Sequence, residues 1–239
     1  RWCTFIPARG ALHPKSLHPP SCVPSVTMST PPTLTGLGER AHLLAPAISL
    51  DTHIDDIANV LEYEDLRDVI LVGHSYGGMI ITGVAQRAPH RLAQFVYLDG
   101  WFPMDDDRSI AELSARIMPQ LWSPLEEQIR TEGDGWREPA PKGENPLGLP
   151  NDEDARWVGK RLTDHPAATY VQRLPPDIAA IAAPRHLYVQ CPKPGGGTPL
   201  AAFGARARRE GWVYHELAGG HQVMMTMPRE LVDLLVTLV

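Results

Sequence analysis

Cysteine is scarce: Cys3, Cys22 and Cys191 are the only three in 239 residues, and no two form a C-x-x-C pair. That spacing fits neither a disulfide framework nor a zinc site. Long apolar runs are missing too; none approaches the roughly 18 residues that span a bilayer. The first residues lack the apolar core of a signal peptide, so no membrane partner and a cytoplasmic location are the default expectation. There is no basic stripe, and a net charge of −6 argues against a nucleic-acid partner. Arg206, Arg208 and Arg209 are a local cluster on an expected helix, read as a solvated face.

Acidic residues are absent from residues 1–32, which instead hold seven prolines. The stretch has no helical or strand period, and its composition predicts an irregular N-terminal arm. Met28 lies inside it and is a candidate start of the natural chain. The remainder, residues 33–239, is long enough for one sizeable domain and short for two, with hydrophobic and charged fractions of 43% and 21% that are ordinary for a globular protein.

What is present is an alternation of short apolar runs with amphipathic stretches. Residues 51–63 carry Ile54, Ile57, Ala58 and Leu61 at helical spacing. Residues 69–72, 95–98 and 186–190 read as buried strands, and 212–217 as a strand nearer an edge. Residues 76–88 form a helix stopped by Pro89, and Pro228 opens a C-terminal helix. Strands alternating with helices predict an α/β fold, a mostly parallel sheet with helices on both faces. The rhythm breaks at about 101–184, where 108–118 and 152–162 look helical and the Gly/Pro-rich 133–150 reads as an exposed loop. An insertion after a strand's carboxyl end lies over the crevice where such sheets bind ligands, so this one reads as a helical lid.

The chemistry centres on Gly73-His74-Ser75-Tyr76-Gly77, set between the 69–72 strand and the next helix. G-x-S-x-G in that context is a sharp turn that lifts a serine hydroxyl above the sheet edge. Ser75 is therefore the candidate nucleophile, and the Tyr76 backbone N–H a candidate oxyanion donor. A serine needs a base. Of ten histidines, His221 stands where the topology places one, after the 212–217 strand and an Ala218-Gly219-Gly220 turn. The third member must hold the imidazole's other N–H. Its usual loop, 191–199, contains no carboxylate, which leaves Asp99 at the end of Tyr97-Leu98-Asp99. Asp105, Asp106 and Asp107 read as an exposed acidic turn, and Cys191 as a small buried hydrophobe. A second oxyanion donor normally follows an early strand; Arg9-Gly10-Ala11 is the nearest sequence to one. His74, Trp101, Phe102, Trp122 and Met224 are candidate substrate-binding residues, with Met118, Leu121, Trp157 and Met225 as further apolar side chains for the lid or pocket.

Thr33-Leu34-Thr35-Gly36-Leu37-Gly38-Glu39-Arg40, residues 61–66, Gly73-His74-Ser75-Tyr76-Gly77-Gly78 and Tyr97-Leu98-Asp99 together resemble bacterial α/β-hydrolases related to plant methylesterases and hydroxynitrile lyases. The resemblance covers about residues 33–239. It implies a cofactor-free serine hydrolase acting on small carboxylic esters through an acyl-enzyme, with Ser75 and His221 in the triad. It also implies an N-terminal strand ahead of Thr33, for which the sequence offers no clear candidate, so an impaired, ligand-binding relative is the alternative, along with a lactone or C–C bond hydrolase. Cyanogenic members carry lysine after the catalytic histidine; Gln222 stands here, which favours an esterase.

Overall fold

The computed structural model describes residues 2–6, 27–28, 32–175, 185–193 and 197–237. The chain builds β1 (Trp2–Ile6), β2 (Thr27–Met28), α1 (Leu50–Tyr63), β3 (Val69–His74), α2 (Gly77–Arg87) and β4 (Leu92–Leu98). Then come α3 (Ile110–Ile117), α4 (Pro119–Glu132), β5 (Arg137–Glu138), α5 (Asp152–Gly159), β6 (His165–Pro166) and α6 (Ala168–Val171). The last part holds β7 (His186–Gln190), α7 (Ala201–Arg209), β8 (Val213–Glu216), α8 (Val223–Thr226) and α9 (Pro228–Thr237). Six strands form one parallel sheet in the order β2-β1-β3-β4-β7-β8.

β3 reads Val-Ile-Leu-Val-Gly-His and is buried along its whole length, as a parallel strand covered on both faces must be. One face of the sheet carries Val69, Leu71, Phe95, Tyr97 and Tyr188 against α1, α2 and α7. The other carries Ile70, Val72, Val96, Leu98 and Val189 against α9. α1 turns Leu50, Ile54, Ile57 and Leu61 to the core, each below 2% exposed. Each such side chain contributes about 1.5–3 kcal/mol on burial. The Ser49 N–H donates to Thr52 Oγ1 at 3.2 Å and secures the start of that helix.

Two expectations are corrected. The stretch 1–32 is not irregular throughout: Trp2–Ile6 pairs in parallel with β3, Trp2 opposite Val69 and Ile6 opposite Gly73. The strand that the resemblance requires is thus present, and it ends beside the serine turn. Trp, Thr, Phe and Ile favour strands, and a five-residue run built mainly of them is enough when the buried edge of β3 awaits it. Arg9-Gly10-Ala11 lies outside the described residues. Nor is 133–150 simply an exposed loop: Arg137–Glu138 pairs antiparallel with His165–Pro166, and Gly133, Glu138, Pro139 and Leu149 are buried.

Between β4 and β7 the chain is mainly helical. α3 starts with a capping box in which the Ser109 Oγ accepts from the Glu112 N–H at 3.2 Å and Glu112 Oε2 accepts from the Ser109 N–H at 3.1 Å. α4 contains Pro124 without ending there. The carbonyl that proline deprives of a donor belongs to Gln120, and both residues face solvent, where water replaces the lost bond. The arginine cluster on α7 is solvated yet paired, Arg206 with Asp105 and Glu210, Arg208 with Glu216. No described helix is long and apolar enough to cross a membrane.

Candidate active site

The turn from β3 into α2 is tight. Ser75 has φ of 54°, in the left-handed region that non-glycine residues avoid. Its N–H donates to the Leu98 carbonyl at 3.3 Å, and its carbonyl accepts from the N–H groups of Gly78 and Trp101, both at 3.0 Å. Glycine is obligatory on either side. A Cβ on Gly73 would sit 2.5 Å from the Gly77 carbonyl oxygen, and one on Gly78 would overlap the Trp101 carbonyl oxygen. Glycine at 73 and 78 is therefore a packing requirement of a turn that presents a hydroxyl.

Asp99 follows β4, also with a left-handed φ of 41° and with no exposed surface. Its Oδ2 accepts from His221 Nδ1 at 2.7 Å and from the Thr198 hydroxyl at 3.5 Å. Its Oδ1 accepts from Gln190 Nε2 at 3.0 Å and the Cys191 N–H at 3.1 Å. A carboxylate so surrounded by donors is held as an acceptor, which fixes the His221 proton on Nδ1 and leaves Nε2 as a base. The His221 loop is pinned in turn: the Gly220 N–H donates to the Pro192 carbonyl at 2.9 Å and the Thr226 hydroxyl to the Gly219 carbonyl at 2.7 Å. Cys191 is buried beside Asp99, and burial first, then that charge, pushes its thiol upward, so it is no nucleophile.

His74 does not line the cavity described below. It lies under His221, rings 4.6 Å apart, and its Nε2–H donates to the His221 carbonyl at 2.7 Å. Burial above all, and the neighbouring His221, hold it well below the usual histidine range. A second buried histidine, His53, is lowered chiefly by burial. Its Nε2 donates to the Thr35 carbonyl at 2.9 Å, so its Nδ1 accepts the Tyr76 hydroxyl at 2.8 Å. Thr35 is itself clamped by Asp56, which takes its N–H at 2.6 Å and its hydroxyl at 2.8 Å. The Thr33–Arg40 motif thus serves to hold the Tyr76 side chain.

Both histidines are neutral when folded and titrate near 6.5 when unfolded. A lowered folded pKa means that the unfolded chain takes up the proton first, so their contribution is complete above pH 6.5 and is lost as pH falls below it. Each costs up to about 1.4 kcal/mol per pH unit in that window. The urea midpoint is expected to drop between pH 7.5 and pH 5.5; a midpoint that holds or rises would refute the assignment of both as buried neutral groups.

A cavity of about 200 Å³ opens at Ser75. Ile110, Met118, Leu121, Leu125, Trp101 and Trp122 form its apolar wall, and Ser75, Tyr76, Ser114, Glu138 and Tyr170 contribute its polar atoms. Trp101 and Trp122 are thus where substrate-binding residues were expected. Phe102 and Met224 are not, because each is consumed by packing. Phe102 sits among Tyr97, Tyr188, Phe203 and Trp212 with ring centroids 4.7–6.0 Å apart. Met224 belongs to the core on the opposite sheet face, with Val72 and Leu98. Trp157 packs near Leu149 and Val158 instead. The far wall, Glu138 and Tyr170, escaped sequence reading altogether; a lone Glu in a Gly/Pro-rich stretch gives no signal. Asp105 and Asp107 pair with Arg206 and Arg116, away from His221. Among the described residues no cluster of His, Cys, Asp and Glu is able to hold a metal ion.

Residues 20–234 match the Alpha/beta hydrolase family. The chain is 34% identical over 215 residues to a carbendazim hydrolyzing esterase from Nocardioides sp. (strain SG-4G), covering 87% of this chain and 86% of that protein. In structure it is similar to an extracellular alpha/beta-hydrolase from a Paenibacillus species, with a TM-score of 0.70 at 21% identity over 89% of this chain and 87% of that one. It is also similar to tomato methylketone synthase I, with a TM-score of 0.64 at 16% identity over 90% and 87% of the two chains.

Proposed function

As this chain belongs to the alpha/beta hydrolase family, we propose that it is a serine hydrolase that cleaves small carboxylic esters through an acyl-enzyme. The reading rests on one observation above others: Ser75, held in a left-handed turn, lines an apolar cavity on the same sheet edge as the buried Asp99 and the half-exposed His221 bonded to it. Ser75 Oγ attacks the ester carbonyl carbon while His221 Nε2 takes its proton. Asp99 keeps the ring oriented and offsets the charge that forms on it. The Tyr76 N–H, immediately after the nucleophile, donates to the oxyanion. Collapse expels the alcohol, which leaves with the proton from His221. Water, deprotonated by the same nitrogen, then releases the acid.

The helical segment between β4 and β7 is the lid of this site. It supplies most of the apolar wall, from Ile110 to Leu125, and so sets which esters fit. The Nocardioides relative is named for carbendazim hydrolysis, which makes that compound a direct substrate to try beside short p-nitrophenyl esters. A fluorophosphonate probe tests the central claim. The purified protein is expected to be labelled at Ser75 and to lose esterase activity in step. A protein that stays unlabelled under conditions that label a control esterase has no activated serine, and the reading is then wrong.

A further inference from the structure

α3 buries Ile110, Leu113 and Ser114, and Ile117 packs against the same cluster. That spacing is the apolar stripe of an amphipathic helix, and Ser114 is the one polar residue on it. Ser114 is 5% exposed and lines the cavity at Ser75. Ile110, one turn before it, and Met118, one turn after it, line the cavity too. On α4, Leu121, Trp122 and Leu125 continue the wall. Among the described residues, Ser114 supplies the only hydroxyl that α3 and α4 bring to this cavity.

A helical serine or threonine commonly turns its hydroxyl back to the carbonyl four residues earlier. Thr82 and Thr131 do so, donating to the Gly78 and Glu127 carbonyls at 2.7 and 2.8 Å. Ser114 does not. Its carbonyl accepts the Met118 N–H at 2.8 Å, but among the described residues nothing bonds its Oγ. A buried hydroxyl without a partner costs the fold, whereas alanine here would avoid that cost and form helix better. A residue that runs against its own helix's pattern, on the wall of a cavity that Ser75 shares, points to binding rather than packing. Its chemistry says what it binds. The O–H hydrogen is the atom that lacks an acceptor, and ether and carbonyl oxygens accept without donating. The aliphatic side chains around it strengthen such a bond.

We infer that Ser114 is a specificity-determining residue whose hydroxyl favours esters that carry a second acceptor oxygen, ether or carbonyl, in the part that lies against α3. This rests on the reading of the cavity as the ester site and names the substrate class within it. Nothing in the G-x-S-x-G chemistry requires a hydroxyl on α3; it discriminates between substrates that the same nucleophile attacks.

The test uses matched p-nitrophenyl esters in which one methylene is exchanged for an ether oxygen: methoxyacetate against butanoate, 3-methoxypropanoate against pentanoate, and 4-methoxybutanoate against hexanoate. The readout is the ratio of kcat/KM values within each pair, ether over alkyl, in the whole protein; comparing the variant's ratio with the wild type's cancels the intrinsic reactivity of the esters. Ser114→Ala is expected to lower the ratio roughly 3- to 10-fold in at least one pair, the range for one neutral hydrogen bond. Its melting temperature is expected to hold or rise, because no internal bond is lost and helix propensity improves. General damage to the fold slows both members of a pair alike and leaves the ratio where it was. Ratios unmoved in all pairs, with or without a loss of stability, overturn the inference and leave the esterase reading standing. A wild-type protein that takes up fluorophosphonate yet hydrolyses none of these esters overturns the inference alone. One that hydrolyses none and takes up no fluorophosphonate overturns both.

Discussion

Ser75→Ala is expected to lower kcat for a short p-nitrophenyl ester by roughly 10⁴- to 10⁶-fold, the scale on which a triad serine acts. The substitution isolates the hydroxyl. Ser75 is anchored by its backbone, through Leu98 on one side and Gly78 and Trp101 on the other, and all three bonds survive the loss of Oγ. Alanine also accepts a φ of 54° about as poorly as serine does, so the strain of the turn is unchanged. Melting temperature should stay within a few degrees of wild type while turnover vanishes. Activity within tenfold of wild type would place the nucleophile elsewhere.

Asp99→Asn should cost about 10⁴-fold in kcat, by way of the wrong tautomer. Two oxygens of Asp99 face four donors. An asparagine must aim its NH2 group at one pair. Aimed where Oδ1 was, it meets the Cys191 backbone N–H, which has no other orientation. Aimed where Oδ2 was, it meets His221 Nδ1 and forces the ring proton onto Nε2, where the base must be free. The second arrangement is the cheaper, and it disables the base. A stability loss of about 1–3 kcal/mol accompanies it, because the buried carboxylate's charge-assisted bonds are replaced by weaker neutral ones. The measurement is kcat with the circular dichroism spectrum as a control; turnover within tenfold of wild type would remove Asp99 from the mechanism.

The parts of this molecule that sequence made legible are those where a local pattern and a topological rule coincide. Residues 69–78 spell a buried strand, a two-glycine turn and a helix start, and the structure builds that order. Asp99 was reached by elimination along the sheet edge, and it now stands 2.7 Å from His221 Nδ1. β1 was missed because a five-residue strand beside a proline-rich stretch has no period of its own; its pairing with Val69–Gly73 is a contact across more than sixty residues. Residues 119–132 received no assignment from sequence; α4 fills them, with Pro119 opening the helix and Pro124 set where water repairs the gap. Phe102 and Trp101 are neighbours in sequence and share one buried cluster, yet only Trp101 also lines the cavity, and nothing in their identity separates them. Glu138 meets Tyr170 across 32 residues, a juxtaposition set by the antiparallel pairing of β5 with β6.

The bond from the Trp101 N–H to the Ser75 carbonyl has a mechanical consequence. The first residue after Gly100 is tied to Ser75 itself, and Trp101 and Phe102 are buried. The start of the helical segment between β4 and β7 is thereby fixed to the serine turn. With the Met104–Asp107 bridge just beyond, a displacement of the helices that follow would leave the serine turn in place.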